Sequence, residues 1–320
     1  MKAATIHHLN SGLIVLSCFI AFFIPFELFL FSYAVLGPLH YLTEIGWLHK
    51  KNYFTKGKYD FILLGISCCI LVYWNYIPPK SHTLMADIIL LSALCSFAFV
   101  FMKDWLYRAA VILLSLLTVG FLNDFTHYFT WAAIFLPTII HVFIFTWAFM
   151  LYGVLKERSW QGLVSIIVLI ICALLLFSIQ PQNLFYPVSE YIQKAYSNFV
   201  LLNFSLVNFL NMDQFSDIAQ VFNTNAGFVI MRFIAFAYTY HYLNWFSKTS
   251  VIKWHLVSKK SLLITIGIWL LSVAIYAYDY SLGMNVLFFL SFLHVFLEFP
   301  LNIVSFTGIG KEVLAFRNGK

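Results

Sequence analysis

The run Phe129-Thr-Trp-Ala-Ala-Ile-Phe-Leu-Pro-Thr-Ile-Ile-His141-Val-Phe-Ile-Phe-Thr-Trp-Ala-Phe-Met-Leu-Tyr-Gly153 decides the fold class. It holds no Asp, Glu, Lys or Arg and exceeds the roughly 20 apolar residues that cross a bilayer as a helix. Yet a histidine sits in its middle. Comparable apolar runs occupy 11–25, 27–48, 60–77, 85–102, 109–123, 161–179, 226–246, 261–279 and 283–306. Pro25, followed by Glu27, divides the first two runs, because proline suits the first turn of a helix and disrupts an interior. If that division is only a kink, the count drops by one. The pattern predicts an all-α polytopic bundle of nine or ten transmembrane helices, forming a single membrane domain over 1–320.

The composition agrees: 62% hydrophobic, 20% aromatic and 10% charged. A soluble domain is about a quarter charged. The weakly basic opening, MKAATIHHLN, is followed by no small-residue cleavage site, so the first run is read as a retained helix. Cys18, Cys68, Cys69, Cys95 and Cys172 all lie in apolar runs without metal-ligand spacing and are read as packing residues. The net charge of +6 implies no nucleic acid, because the cations sit in short loops where they set topology.

Those loops alternate. Lys50, Lys51, Lys56 and Lys58 fill one; Lys103 and Arg108 the next; Lys156 and Arg158 a third; Lys248, Lys253, Lys259 and Lys260 a fourth. Lys311, Arg317 and Lys320 fill the tail, while the loops between are almost free of cations apart from Lys80 and Lys194. Basic loops face the cytoplasm, which places the C-terminus there. The segment 180–225, with Pro181, Pro187, Glu190, Asp213 and Asp217, reads as an outer-face loop carrying a re-entrant or interfacial helix.

Ten histidines remain to be sorted. His7, His8, His49, His82 and His255 fall at span ends or in loops, where imidazoles sit readily. His127, just after Asp124 at the outer start of a span, fits either a structural or a functional role. His40, His141, His241 and His294 are deeper: at about 1.5 Å per residue they lie about 9–18 Å from the inner boundary. Two of them open the same phrase, His40-Tyr-Leu-Thr-Glu44 and His294-Val-Phe-Leu-Glu298. A spacing of four places both side chains on one helix face. Ionisable groups at membrane depth are costly and point to function.

Neutral imidazole and carboxylate are ordinary ligands for iron and zinc. His40, His141, His241 and His294 are therefore the candidate metal ligands. Glu44 and Glu298 are the candidate catalytic groups, either completing the shell or orienting the imidazoles. Tyr238 and Asn244, near His241 on its helix, are candidate hydrogen-bonding partners of the ligands, as is His127. Thr43, Trp47 and Asn302 are weighed in the same way. Arg232 lies outward of His241, with Asp279, Asp124 or Glu190 as expected ion-pair partners.

The phrases Gly37-Pro-Leu-His40-Tyr-Leu-Thr-Glu44, Tyr238-Thr-Tyr-His241-Tyr-Leu-Asn-Trp-Phe and Leu293-His294-Val-Phe-Leu-Glu298-Phe-Pro come in an order that resembles the Brp/Blh-type bacterial β-carotene 15,15′-dioxygenases. The likeness covers short islands. Trp245 stands where the family has a second histidine, and Glu stands where the family has Asp. The resemblance implies a polytopic iron oxygenase of a bacterial-type cytoplasmic (inner) membrane that uses Fe(II) and O2 to cleave a carotenoid to an aldehyde.

Three functions are weighed. The first is a metal-dependent oxygenase acting on a long apolar substrate, a carotenoid or other isoprenoid, among membrane lipids. The second is a di-metal lipid hydroxylase or desaturase, or a zinc hydrolase, although the HxxxH, HxxHH and HExxH patterns are absent from the sequence. The third is a proton- or cation-coupled transporter, for which Gly37-Pro38 and Phe299-Pro300 would supply broken helices.

Overall fold

Proline, glycine and a few capping residues set the ends of long apolar helices in this chain. The computed structural model describes residues 3–79, 81, 83–179, 186–248 and 257–318. Lys80, Pro181, Lys253, Lys320 and the histidines His82 and His255 lie outside the described residues. The protein is 85% helical with no strand among the described residues, and eight of its helices are long and apolar enough to cross a membrane. It is an all-α helical membrane protein.

In chain order the long helices are α1 (Ala3–Phe23), α2 (Pro25–Lys50), α3 (Asp60–Tyr76), α4 (Thr83–Phe101), α5 (Trp105–Leu122), α6 (Thr130–Glu157) and α7 (Trp160–Ser178). The segment expected to hold a re-entrant or interfacial helix contains short helices α8 (Glu190–Tyr196), α9 (Val200–Phe209) and α10 (Gln220–Asn223). Then come α11 (Asn225–Ser247), α12 (Lys259–Tyr278) and α13 (Tyr280–Arg317). The chain divides into two compact units: Met1–His40 with Glu157–Asn285, and Tyr41–Lys156 with Val286–Lys320.

In the first unit, α1 stops where the sequence indicates. Ile24 leaves helical geometry (φ −132°, ψ 59°) and Pro25 opens α2 at its first position. The last carbonyls of any helix lack intrahelical partners. Here Arg232 of α11 donates from Nε to the Phe22 carbonyl at 3.0 Å, with its guanidinium over the Phe22 ring at 4.8 Å. Among the described residues Arg232 forms no carboxylate pair with the partners expected from sequence. It satisfies the end of α1, where a cation also suits the helix dipole.

Helix α11 packs against α1, α2, α7, α9 and α10, and 19 of its residues are buried. Enclosure explains how one helix carries Arg232, Thr239, His241 and Asn244 within an apolar bundle. Its start is fixed by the Thr224 hydroxyl, which accepts from the Gly227 N–H at 3.1 Å. Gly227 lies so close to the Val221 carbonyl that a Cβ has no room there. Its own carbonyl accepts from Asn203 Nδ2 at 3.1 Å.

Helix α2 widens to a π-helical turn at Ser32–Leu36, where the Gly37 N–H reaches back to the Ser32 carbonyl. The cause is Pro38, which has no N–H for the preceding turn and crowds its carbonyl. The indole of Trp269 donates to the Val35 carbonyl at 2.8 Å, and the Tyr280 phenol to the Leu30 carbonyl at 3.2 Å. Ser32 Oγ and Thr239 Oγ1 meet at 2.8 Å, tying α2 to α11.

In the second unit, α4 packs on α3, α5 and α6. Asp60, at the head of α3, is gripped by both Arg108 amino groups at 2.7 and 3.0 Å and accepts from the Gly57 N–H at 2.8 Å. Residues Thr130–Phe145 of α6 are π-helical around Pro137. Helix α13, by contrast, runs unbroken through Pro300, so Phe299-Pro300 is no helix break.

Candidate metal centre

In the first unit, the turn after Pro38 presents His40 to α11, where His241 faces it. Their Nε2 atoms are 3.0 Å apart and their rings cross at 76°. Both residues are buried, at 1% and 6% exposure. Tyr242 and Trp245 of α11 pack against the His40 ring, with centroids at 5.2 and 5.6 Å. Trp245 is thus a wall of the His40 site.

In the second unit, His141 of α6 and His294 of α13 repeat the arrangement. Their Nε2 atoms are 3.2 Å apart, again with rings crossed at 76°. Both are buried, at 1% and 3% exposure. Tyr41 stacks on the His294 ring at 4.2 Å with an angle of 23°. Glu298, one turn beyond His294, places Oε2 3.2 Å from His141 Nδ1, a close approach without the alignment of a hydrogen bond. Glu44 is also buried, at 2%.

Nitrogens bound to one ion at about 2.0–2.1 Å lie about 2.9 Å apart at a right angle and about 3.3 Å apart at the tetrahedral angle. The observed separations of 3.0 and 3.2 Å fall inside that interval. An Nε2–H···Nε2 hydrogen bond between neutral rings gives similar distances, so each pair is competent for a proton or for a metal. His40 with His241 in the first unit, and His141 with His294 in the second, are thus buried histidine groups that can supply ligands to a metal ion.

The remaining candidates fall elsewhere. Tyr238 is buried in an aromatic cluster, 5.0 Å from the Phe29 ring and 6.1 Å from Tyr33. Asn244 is buried, and its side-chain oxygen has no hydrogen-bond partner among the described residues. His127 is exposed and lines a cavity bounded by α4, α5 and α6. His7 meets Glu157 at 3.2 Å, and His49 meets the Tyr53 hydroxyl at 3.2 Å. Sequence reasoning did not single out Tyr41, although an aromatic directly after a deep histidine was a visible signal. It also missed that the imidazoles pair through Nε2, which depends on helix rotation that spacing along one helix does not give.

Compared with known proteins, the chain matches no family model, no curated protein and no solved structure. Fold and site together define a helical membrane protein with a buried histidine group suited to a metal.

Proposed function

We propose that the protein is a membrane-embedded metal-dependent oxygenase that acts on a long apolar substrate, a carotenoid or other isoprenoid, with His40, His141, His241 and His294 holding one Fe(II). The observation that carries this reading is the pair of buried Nε2–Nε2 contacts at ligand-like separation, drawn from four helices. Four neutral imidazoles with no thiolate leave the divalent charge largely intact and suit a metal with open positions better than a closed structural zinc site. When bound, iron supplies the O2 chemistry needed to oxidise a polyene.

The chain's own part is to orient and to exclude water. Glu298 fixes the His141 ring through Nδ1, Tyr41 fixes His294 by stacking, and Trp245 closes one side of His40. The resemblance of the ordered phrases to those of the Brp/Blh-type dioxygenases is in keeping with the same reading, and the alternating basic loops support a cytoplasmic C-terminus. Purified protein reconstituted with Fe(II) is expected to consume O2 on addition of a carotenoid and to release an aldehyde. O2 uptake that ignores both iron and substrate would refute the activity.

One observation favours a second reading. Each compact unit carries its own imidazole pair, which also suits two ions, as in a di-metal lipid hydroxylase. Metal stoichiometry separates the two.

A further inference from the structure

The second unit holds a cavity of about 570 Å³ that the site above does not use. This is within the range of about 300–1,000 Å³ typical of ligand pockets. It is lined by Leu122 and Phe125 and, from α6, by Trp131, Leu136 and Ile140. Two of its lining residues, Tyr128 and Ala132, also belong to a packed cluster with Ala86 and Val119, so the cavity has a built wall rather than a loose crevice. The polar residues of the lining are consecutive, Thr126, His127 and Tyr128, and follow the exposed Phe125. Ile140, the lining residue farthest from them along α6, comes one residue before His141. Thirteen residues of α-to-π helix span about 15–20 Å.

The polar end discriminates by charge. No Lys, Arg, Asp or Glu lines the cavity among the described residues. Tyr128 donates its hydroxyl to Asp87 Oδ1 at 2.7 Å, and Asn123 Nδ2 approaches both carboxylate oxygens at 3.4 Å. The phenol oxygen of Tyr128 therefore keeps a lone pair to accept a ligand hydroxyl, and the His127 imidazole can accept or donate. A carboxylate head would meet Asp87 behind that phenol with no Lys or Arg among the described lining residues to offset the repulsion. A plain hydrocarbon would leave the polar end unused.

We propose that this cavity binds one long apolar chain ending in a hydroxyl, with the head at His127 and Tyr128 and the tail toward Ile140. That this chain is the substrate of the histidine centre rests on the function proposed above; the binding and its head-group preference do not.

The test uses full-length protein in detergent and parinaryl alcohol, a fluorescent polyene alcohol, as probe. Binding is expected to saturate near one per chain and to be reversed by 1-hexadecanol at least tenfold more effectively than by hexadecanoic acid. Leu136→Trp, which fills the cavity, is expected to weaken the probe tenfold or more. His127→Ala is expected to erase the preference of hexadecanol over hexadecane while leaving hexadecane binding in place. Ile140→Phe serves as a second filling variant where Leu136→Trp fails to fold. Metal content is measured on the same samples, so loss of the metal reading and loss of this one are seen separately. Fluorescence that rises without saturation, as for micelle partitioning alone, overturns the proposal. So does equal displacement by acid and alcohol, or unchanged binding in a folded filling variant.

Discussion

Glu298→Gln tests what the buried carboxylate does. Glu298 Oε2 lies 3.2 Å from His141 Nδ1, the ring nitrogen opposite the one that faces His294. Unit charges at that distance interact by about 5 kcal/mol at an effective dielectric of about 20. A metal-bound imidazole carries only a fraction of a charge. If that fraction is about a quarter, the carboxylate stabilises the bound state by about 1.3 kcal/mol, or roughly tenfold in affinity. Glutamine preserves length and an oxygen but not the charge. The variant is therefore expected to bind metal about 10–100-fold more weakly in a chelator competition, while reaching the wild-type stoichiometry at saturation. Unchanged affinity would refute a positioning role. Loss of stoichiometry even at saturating metal would show that Glu298 is itself a ligand.

Other outcomes follow from contacts away from the histidines. Asp60→Ala strips Arg108 of a bidentate partner and leaves it the Met102 carbonyl. With Arg108 19% exposed, the cost is about 2–4 kcal/mol, seen as a lower melting temperature by circular dichroism and partly recovered in an Asp60→Ala/Arg108→Ala protein. Gly227→Ala drives a Cβ into the Val221 carbonyl, which is backbone and cannot rotate aside. It is expected to cost about 1–3 kcal/mol in the same melt. Wild-type stability in either variant would contradict the packing described here.

Much of the fold was legible because each span pairs an apolar run with a basic loop or a proline. Pro25 marked the division between α1 and α2, and the run 129–153 lies within α6 except for Phe129. Helix α11 was legible too, although its Arg232, His241 and Asn244 lower its hydropathy, because Phe, Ile, Ala and Tyr fill the remaining turns. The π-helical stretches before His40 and around His141 were not legible. They answer to prolines whose displaced hydrogen bonds had several possible outcomes, as the unbroken helix through Pro300 shows. The partner of Arg232 was misjudged for a related reason. A search for carboxylates overlooks a helix end, whose carbonyls offer a cation both hydrogen bonds and dipole.

For the site, His40, His141, His241, His294, Glu44 and Glu298 are all buried, as ionisable groups within apolar runs must be to avoid lipid. The pairing of His40 with His241, and of His141 with His294, was not legible, because it depends on which way each helix turns its face. Asp60 with Arg108, and Asp87 with Tyr128, had no local motif to mark them, because the paired residues are 48 and 41 positions apart.

The central claim is that the deep histidines hold one metal ion. Its most direct test is the transition-metal content per chain of wild-type, His241→Ala and His294→Ala proteins after iron loading and removal of free metal. The account predicts one ion per chain in the wild type and almost none in either variant, although the two substitutions fall in different compact units. A wild type without stoichiometric metal, or one with two ions of which each variant keeps one, would contradict it.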